Sequence, residues 1–141
     1  RIYPEMAFFI PLITAMGGNV GVQSSSIVVQ ALANNTFSME SSFKKVLKEF
    51  SVAIINGISL SALILGYNLL VSDSFALTLT VSSALFSVVL FASIFGTFIP
   101  LLLNRLKIDP ALATGPFITT INDIAGLAIY LVVGRIFYNI F

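Results

Sequence analysis

The chain has 141 residues, a mean hydropathy of +1.03, 57% hydrophobic residues and 9% charged residues, against roughly 25% charge in a soluble domain, and so reads as a membrane protein. Its length holds about four or five spans of some 20 residues each, which excludes a separate soluble catalytic domain within it. A net charge of +1, placed in short loops, offers no continuous basic face for nucleic acid, and the absence of Cys and His removes thiol chemistry, disulfides, tetrahedral zinc sites and the usual general base.

The opening "RIYPEM" has no small-residue cleavage site of the signal-peptide kind, so the first span is expected to belong to the mature protein. Four apolar stretches follow, at about 5–32, 50–71, 75–103 and 110–137, each long enough to cross a bilayer. Between the first two, Phe43, Val46, Leu47 and Phe50 recur at helical spacing opposite Lys44, Lys45, Lys48 and Glu49, an amphipathic lead-in to the second span. "VSDSF" predicts a tight turn with Ser72, Asp73 or Ser74 capping the third span. In "NRLKIDPA", Asp109 and Pro110 read as N-cap and first residue of the fourth. The fold class is thus all-α, a polytopic helical bundle. Lys44, Lys45, Lys48, Arg105 and Lys107 fall on one side and Arg1 and Arg135 on the other, which predicts that loops 33–49 and 104–109 are cytoplasmic and both termini outside.

The polar residues within the spans are not scattered. Asn19, Gln23, Ser26 and Gln30 step by four, three and four residues and so share one helical face. Gly17, Gly18 and Gly21 beside them lower helical stability by about 1 kcal/mol each relative to Ala, implying either a locally unwound backbone or the close approach of another helix. Small and amide residues also serve simply to join helices. Four aligned polar side chains, two of them glutamines, favour a hydrated pathway.

In the fourth span, "TGPFITTINDIAGLAIY" contains Asp123, the one acid well inside a span, at a cost of roughly 2.5 to 3.5 kcal/mol on insertion scales. No Lys or Arg lies at matching depth in the other spans to pair with it. Thr119, Thr120, Asn122 and Gly126 lie within a turn of it, and Pro116 is expected to remove a helix hydrogen bond after Gly115. Intramembrane acids mark ion or proton pathways, and this polar, carboxylate-bearing face is that of a cation pathway. The second and third spans read as scaffold, with Asn56 available to a neighbour, Ala92 and Gly96 forming a small-xxx-small surface, and Pro100 kinking the end of the third. Glu5 has two readings, a solvated interfacial acid or a collector of cations at a pore mouth.

Two segments, "PLITAMGGNVGVQSSSIVVQALA" (Pro11 to Ala33) and "DPALATGPFITTINDIAGLAIY" (Asp109 to Tyr130), resemble the signature segments of the MgtE family of magnesium channels and transporters. The resemblance implies a homodimer in the inner or plasma membrane whose first and last helices, from both subunits, line a pore for Mg²⁺ on the two-fold axis. It implies that Asp123 is the key pore acid, that Asn19 is a pore-region amide, and that Thr120 with Gly115 and Pro116 forms the pore-helix entrance. It also implies five spans and cytoplasmic regulatory domains, of which these residues show four spans and no regulatory domain.

With the dimer and the ion that the resemblance implies, the physics of these residues agrees on a mechanism. Mg²⁺ keeps several waters, so Asp123 with its symmetry mate would hold it through them, while Asn19, Gln23, Thr119 and Thr120 hydrogen-bond the hydration shell. Gly17, Gly18 and Gly21 would supply the pore backbone, and Gly115 and Pro116 a hinge. The rival readings are an ion-coupled secondary carrier for divalent cations, which uses broken helices of this kind, an intramembrane aspartyl hydrolase built on an Asp123 dyad, and a structural membrane module. No enzymatic activity is expected.

Overall fold

The computed structural model describes residues 3–34 and 39–141, the side chains of residues 39–42 excepted. Arg1, used above for orientation, and residues 35–38 of the first loop lie outside the described residues. The chain forms α1 (Pro4–Ala7), α2 (Ile10–Ala33), α3 (Met39–Val71), α4 (Phe75–Arg105), a 3-10 turn (Pro110–Ala113) and α5 (Pro116–Ile140). Four segments, Pro4–Ala33, Phe43–Val71, Phe75–Arg105 and Pro110–Ile140, are long and apolar enough to cross a membrane, and the architecture is an all-α membrane bundle.

The first apolar stretch is not one uninterrupted helix. Pro11 has no N–H to offer the carbonyl of Ala7, and the chain turns at Phe8 and Phe9 before α2 begins, with the Phe9 N–H bonded to the Met6 carbonyl at 3.2 Å. Beyond that turn α2 runs unbroken through Gly17, Gly18 and Gly21. Of the two readings of those glycines, close approach is the one found. The second span begins earlier than 50, because the amphipathic lead-in is helical from Met39 and continuous with the rest of α3. Phe43, Val46, Leu47 and Phe50 line an apolar cavity of about 320 Å³ against Ser93, Ile94, Thr97, Phe98 and Leu101 of α4.

Between α3 and α4 the choice among three caps falls on Ser74, whose Oγ accepts the N–H of Leu77 at 3.2 Å; Ser72 Oγ in turn accepts the N–H of Ser74. Ser74→Ala is therefore expected to cost about 1 kcal/mol, read as a lowered midpoint of thermal unfolding in detergent, with Ser72→Ala costing less.

At its other end α4 passes through Pro100 and stops at Arg105 in a Schellman motif. The Lys107 N–H bonds the Asn104 carbonyl at 3.1 Å and the Ile108 N–H bonds the Leu103 carbonyl at 2.9 Å, with Lys107 in the left-handed region at φ 59°.

The fourth stretch departs most from its sequence reading. Asp109 does cap, its Oδ1 accepting the Ala111 N–H at 2.9 Å, but what it caps is the 3-10 turn. A break at Thr114 and Gly115, the latter at φ +61°, precedes α5. Pro116 is thus the first residue of α5, where the missing N–H would have no intrahelical partner anyway, and it removes no helix hydrogen bond.

α4 is the core of the bundle. α2, α3 and α5 all pack on it, α2 also packs on α5, and α3 makes its main contact with α4. Val81, Ala84, Leu85, Val88, Val89 and Ala92 are fully buried, as are Ile13, Ile118 and Tyr130 from the flanking helices. Small residues set the spacing: Gly96 of α4 lies against the backbone of Gly21 in α2, and Gly57 of α3 receives the ring of Phe86. The small surface expected at Ala92 and Gly96 is therefore an α2–α4 contact.

Candidate ion pathway on α2 and α5

α2 and α5 run antiparallel, with Ile13 level with Gly126, Gly17 with Asn122, Gly18 with Thr119 and Asp123, and Gly21 with Ile118 and Asn122. This register brings the polar stretch of α2 beside the carboxylate of α5. Asn19, Gln23 and Gln30 are exposed, Ser26 is half-buried, and across the seam Thr120 and Asp123 are exposed and Thr119 half-buried. These exposed polar side chains lie on the outside of the single chain.

The glycines explain how the two helices meet. Gly18 has no side chain to come between α2 and Asp123: a Cβ there would stand 3.6 Å from Asp123 Oδ1 and 3.6 Å from the Thr119 methyl. Gly17 and Gly21 are buried beneath the seam, packed on Val88, Ile118 and Asn122, so they space helices rather than line the exposed face. The Thr119 hydroxyl donates back to the carbonyls of Gly115 and Pro116 at 3.2 and 3.1 Å, which ties the first turn of α5 together. Gly115 itself has open space around it.

Asp123 makes no hydrogen bond or ion pair with the described residues, and no group of three or more acidic residues that would hold a metal gathers among them. A single chain thus presents one exposed carboxylate beside Thr119 and Gly18. Such a set favours a cation that keeps its water over one stripped into a cage of anionic ligands.

Two residues stand elsewhere than expected. Asn122, read as part of the polar face, is 1% exposed and points into the junction of α2, α4 and α5; Gly126 opens space for Val88 of α4 and not toward the seam. Consecutive helical residues diverge by about 100° around the axis, so adjacency to Asp123 in sequence places Asn122 on another face.

Sequence reasoning also missed the clamp at the opposite end of α5. The buried Tyr130 hydroxyl donates to the Met6 carbonyl at 3.0 Å, and the Tyr138 hydroxyl donates to Glu5 Oε1 at 2.7 Å while its ring stacks on Tyr3 at 3.8 Å. The signal available was two tyrosines on one face of α5 and an acid near the start of the chain. Asn56 is half-buried on α3.

The fold is that of a polytopic helical membrane protein with an exposed carboxylate inside one of its long apolar helices. The comparisons specify which. A family model for MgtE, described as a divalent cation transporter, matches residues 10–133. The magnesium transporter MgtE of Bacillus subtilis (strain 168) is 36% identical over 134 residues, covering 95% of this chain and 30% of the relative. That of Thermus thermophilus is 37% identical over 132 residues, covering 93% and 29%, and that of Enterococcus faecalis is 30% identical over 136 residues, covering 96% and 30%. This chain belongs to the MgtE family of divalent cation transporters. It spans about 30% of the length of these curated relatives.

Proposed function

We propose that this chain is the pore-forming part of a Mg²⁺ channel in the inner or plasma membrane, with Mg²⁺ as the transported ion and a homodimer as the working unit. The observation that carries the proposal is the exposure of Asp123 beside Gly18 of α2, with Thr120 exposed on α5 and Asn19 and Gln23 exposed on α2, within segments long and apolar enough to cross a membrane. A carboxylate and amides on the outside of a membrane helix are costly against lipid and at home against water or a second protein surface. A second copy related by a two-fold axis meets both conditions. It covers the seam with its own α2 and α5 and sets Asp123 opposite its symmetry mate, leaving a hydrated path between.

In that arrangement Mg²⁺ passes with much of its hydration shell, held by paired charge acting through water. Asn19, Gln23, Thr119 and Thr120 supply hydrogen-bonding groups to the shell. Gly17, Gly18 and Gly21 allow α5 to lie close to α2, and Gly115 and Pro116 form a flexible entry to α5. The α2–α3 and α4–α5 connections, with the lysine-bearing start of α3, face the cytoplasm. The chain moves an ion and performs no covalent chemistry. The names of the relatives, magnesium transporters, support the choice of ion.

The test uses the full-length protein in liposomes holding a Mg²⁺-sensitive dye, with a K⁺ diffusion potential and no Na⁺ or H⁺ gradient. Influx driven by the potential alone is the expected result. Influx that appears only after a Na⁺ or H⁺ gradient is imposed would replace the channel with an ion-coupled carrier.

A further inference from the structure

The apolar cavity between the start of α3 and the later part of α4 has no part in the proposed pathway. It measures about 320 Å³ and lies within two segments long and apolar enough to cross a membrane. Phe43, Leu47, Ile94 and Phe98 at its rim are all exposed, so it is a groove that opens sideways from the bundle. Its two polar wall residues have nothing to give to water. The Thr97 hydroxyl donates to the Ser93 carbonyl at 2.7 Å, and the Ser93 hydroxyl is paired with that of Ser24 at 3.4 Å. A held water needs about two to four polar partners, which this groove does not supply. Within a bilayer it is filled by hydrocarbon or by another protein helix.

The walls favour hydrocarbon. Where helices of this protein meet closely they do so on glycine, as Gly96 does against Gly21, and membrane helices generally pack on small residues. The groove has no glycine; bulky side chains of α3 and α4 hold its two sides apart. Charge then selects the kind of lipid. α3 and α4 run antiparallel, so the start of α3 and the end of α4 lie at one end of the bundle. There Arg105 continues the α4 row one turn beyond Leu101, and Lys44 and Lys48 flank the α3 row on the side of Leu47, all three exposed. Glu49 stands on the other flank, beside Val46. Lysines near a span are accounted for by membrane orientation alone. These are set apart by their place beside a dry apolar groove, where long cationic side chains lie along apolar surface and carry their charge to the interface.

We propose that this groove is a binding site for an anionic phospholipid, with one acyl chain lying between α3 and α4 and the phosphate beside Lys48 and Arg105. The wall behind the chain is formed by Ser93 and Thr97, and Ser93 is bonded to Ser24 of α2, about one turn from the contact of Gly21 with Gly96. A lipid seated there braces the crossing of α2 and α4 from outside. The proposal rests on the fold and stands apart from the ion pathway.

The test uses the full-length protein in a non-ionic detergent with phosphatidylglycerol that carries a photoreactive diazirine in its acyl chain, followed by mapping of the labelled peptides. Labelling is expected in 43–50 and 93–101. Unlabelled phosphatidylglycerol should displace it at a concentration at least about tenfold lower than phosphatidylcholine with the same chains, since each Lys or Arg beside an anionic headgroup is worth roughly a factor of five. Lys48→Gln combined with Arg105→Gln changes only exposed side chains and should bring the two lipids to within about twofold of each other, with the groove still labelled. Equal displacement by both lipids in the native protein would overturn the proposal, leaving only hydrocarbon against an apolar face. A preference that the double variant leaves intact would overturn it too, as would labelling that spares both segments, the result expected if a protein helix covers the groove.

Discussion

Asp123→Asn is expected to reduce potential-driven Mg²⁺ influx by at least about a hundredfold while leaving the protein as stable as before, or more so. The first half follows from the proposed role of the carboxylate. Losing a charged group that binds an ion through its water costs on the order of 3 kcal/mol, and about 1.4 kcal/mol is a factor of ten. The second half follows from the position of Asp123 in the chain. It has no partner among the described residues, and a carboxylate within a span carries an insertion cost that an amide of the same shape does not. Dye-loaded liposomes give the influx, and thermal unfolding in detergent gives the stability. Influx that survives the substitution would move the ion site elsewhere on the seam. A large loss of stability would show that Asp123 is held by a structural bond. Gly18→Ala is the companion variant: its methyl would meet Asp123 and Thr119 at ordinary contact distance, so it should fold and disturb influx alone.

The second large effect is expected at the crossing of α2 and α4. A Cβ on Gly96 would stand 2.5 Å from the Gly21 carbonyl oxygen and 3.1 Å from its Cα, and backbone atoms cannot swing away as a side-chain tip can. Gly96→Ala should therefore force the helices apart at a cost of about 1–3 kcal/mol, with Gly96→Leu preventing assembly of the bundle. Gly66 on α3 provides the comparison, since no atom lies within 4 Å of its Cβ position. There the same change to Ala should raise stability by roughly 0.5–1 kcal/mol through helix propensity. Thermal midpoints of the two Ala variants decide the matter, and equal shifts would rule out the close approach.

The features legible in the sequence were those governed by periodicity and by cost. Four apolar runs gave four spans because length and hydropathy alone decide whether a helix crosses a bilayer. The shared exposure of Asn19, Gln23 and Gln30 was legible because they recur at helical spacing and so share one face of α2. What escaped was decided by tertiary contacts. That Gly21 meets Gly96, and that Asn122 turns inward where Asp123 turns outward, depends on which helices are neighbours, and no spacing within one helix states this. Pro116 was misjudged for a different reason. The residues from Pro110 on suggested one helix, yet a 3-10 turn followed by Gly115 at positive φ restarts the helix and makes the proline an opening residue. The end of α4 was legible to within two residues, but the Schellman motif that closes it was not, because Lys107 holds the left-handed position that is usually Gly.

The packing of α3 chiefly on α4 also bears on how the protein is made. α2 leaves the ribosome before α3, α4 and α5, yet the surfaces it packs against belong to α4 and α5. Its segment is the least apolar of the four, with a hydropathy of 1.3 against 2.3 for α4. Partitioning into lipid on its own merits is accordingly least favourable for a helix whose partners α4 and α5 follow it in the chain. The contacts of Gly21 and Ser24 with Gly96 and Ser93 form only once α4 has been made, so this part of the packing of α2 is completed late in synthesis.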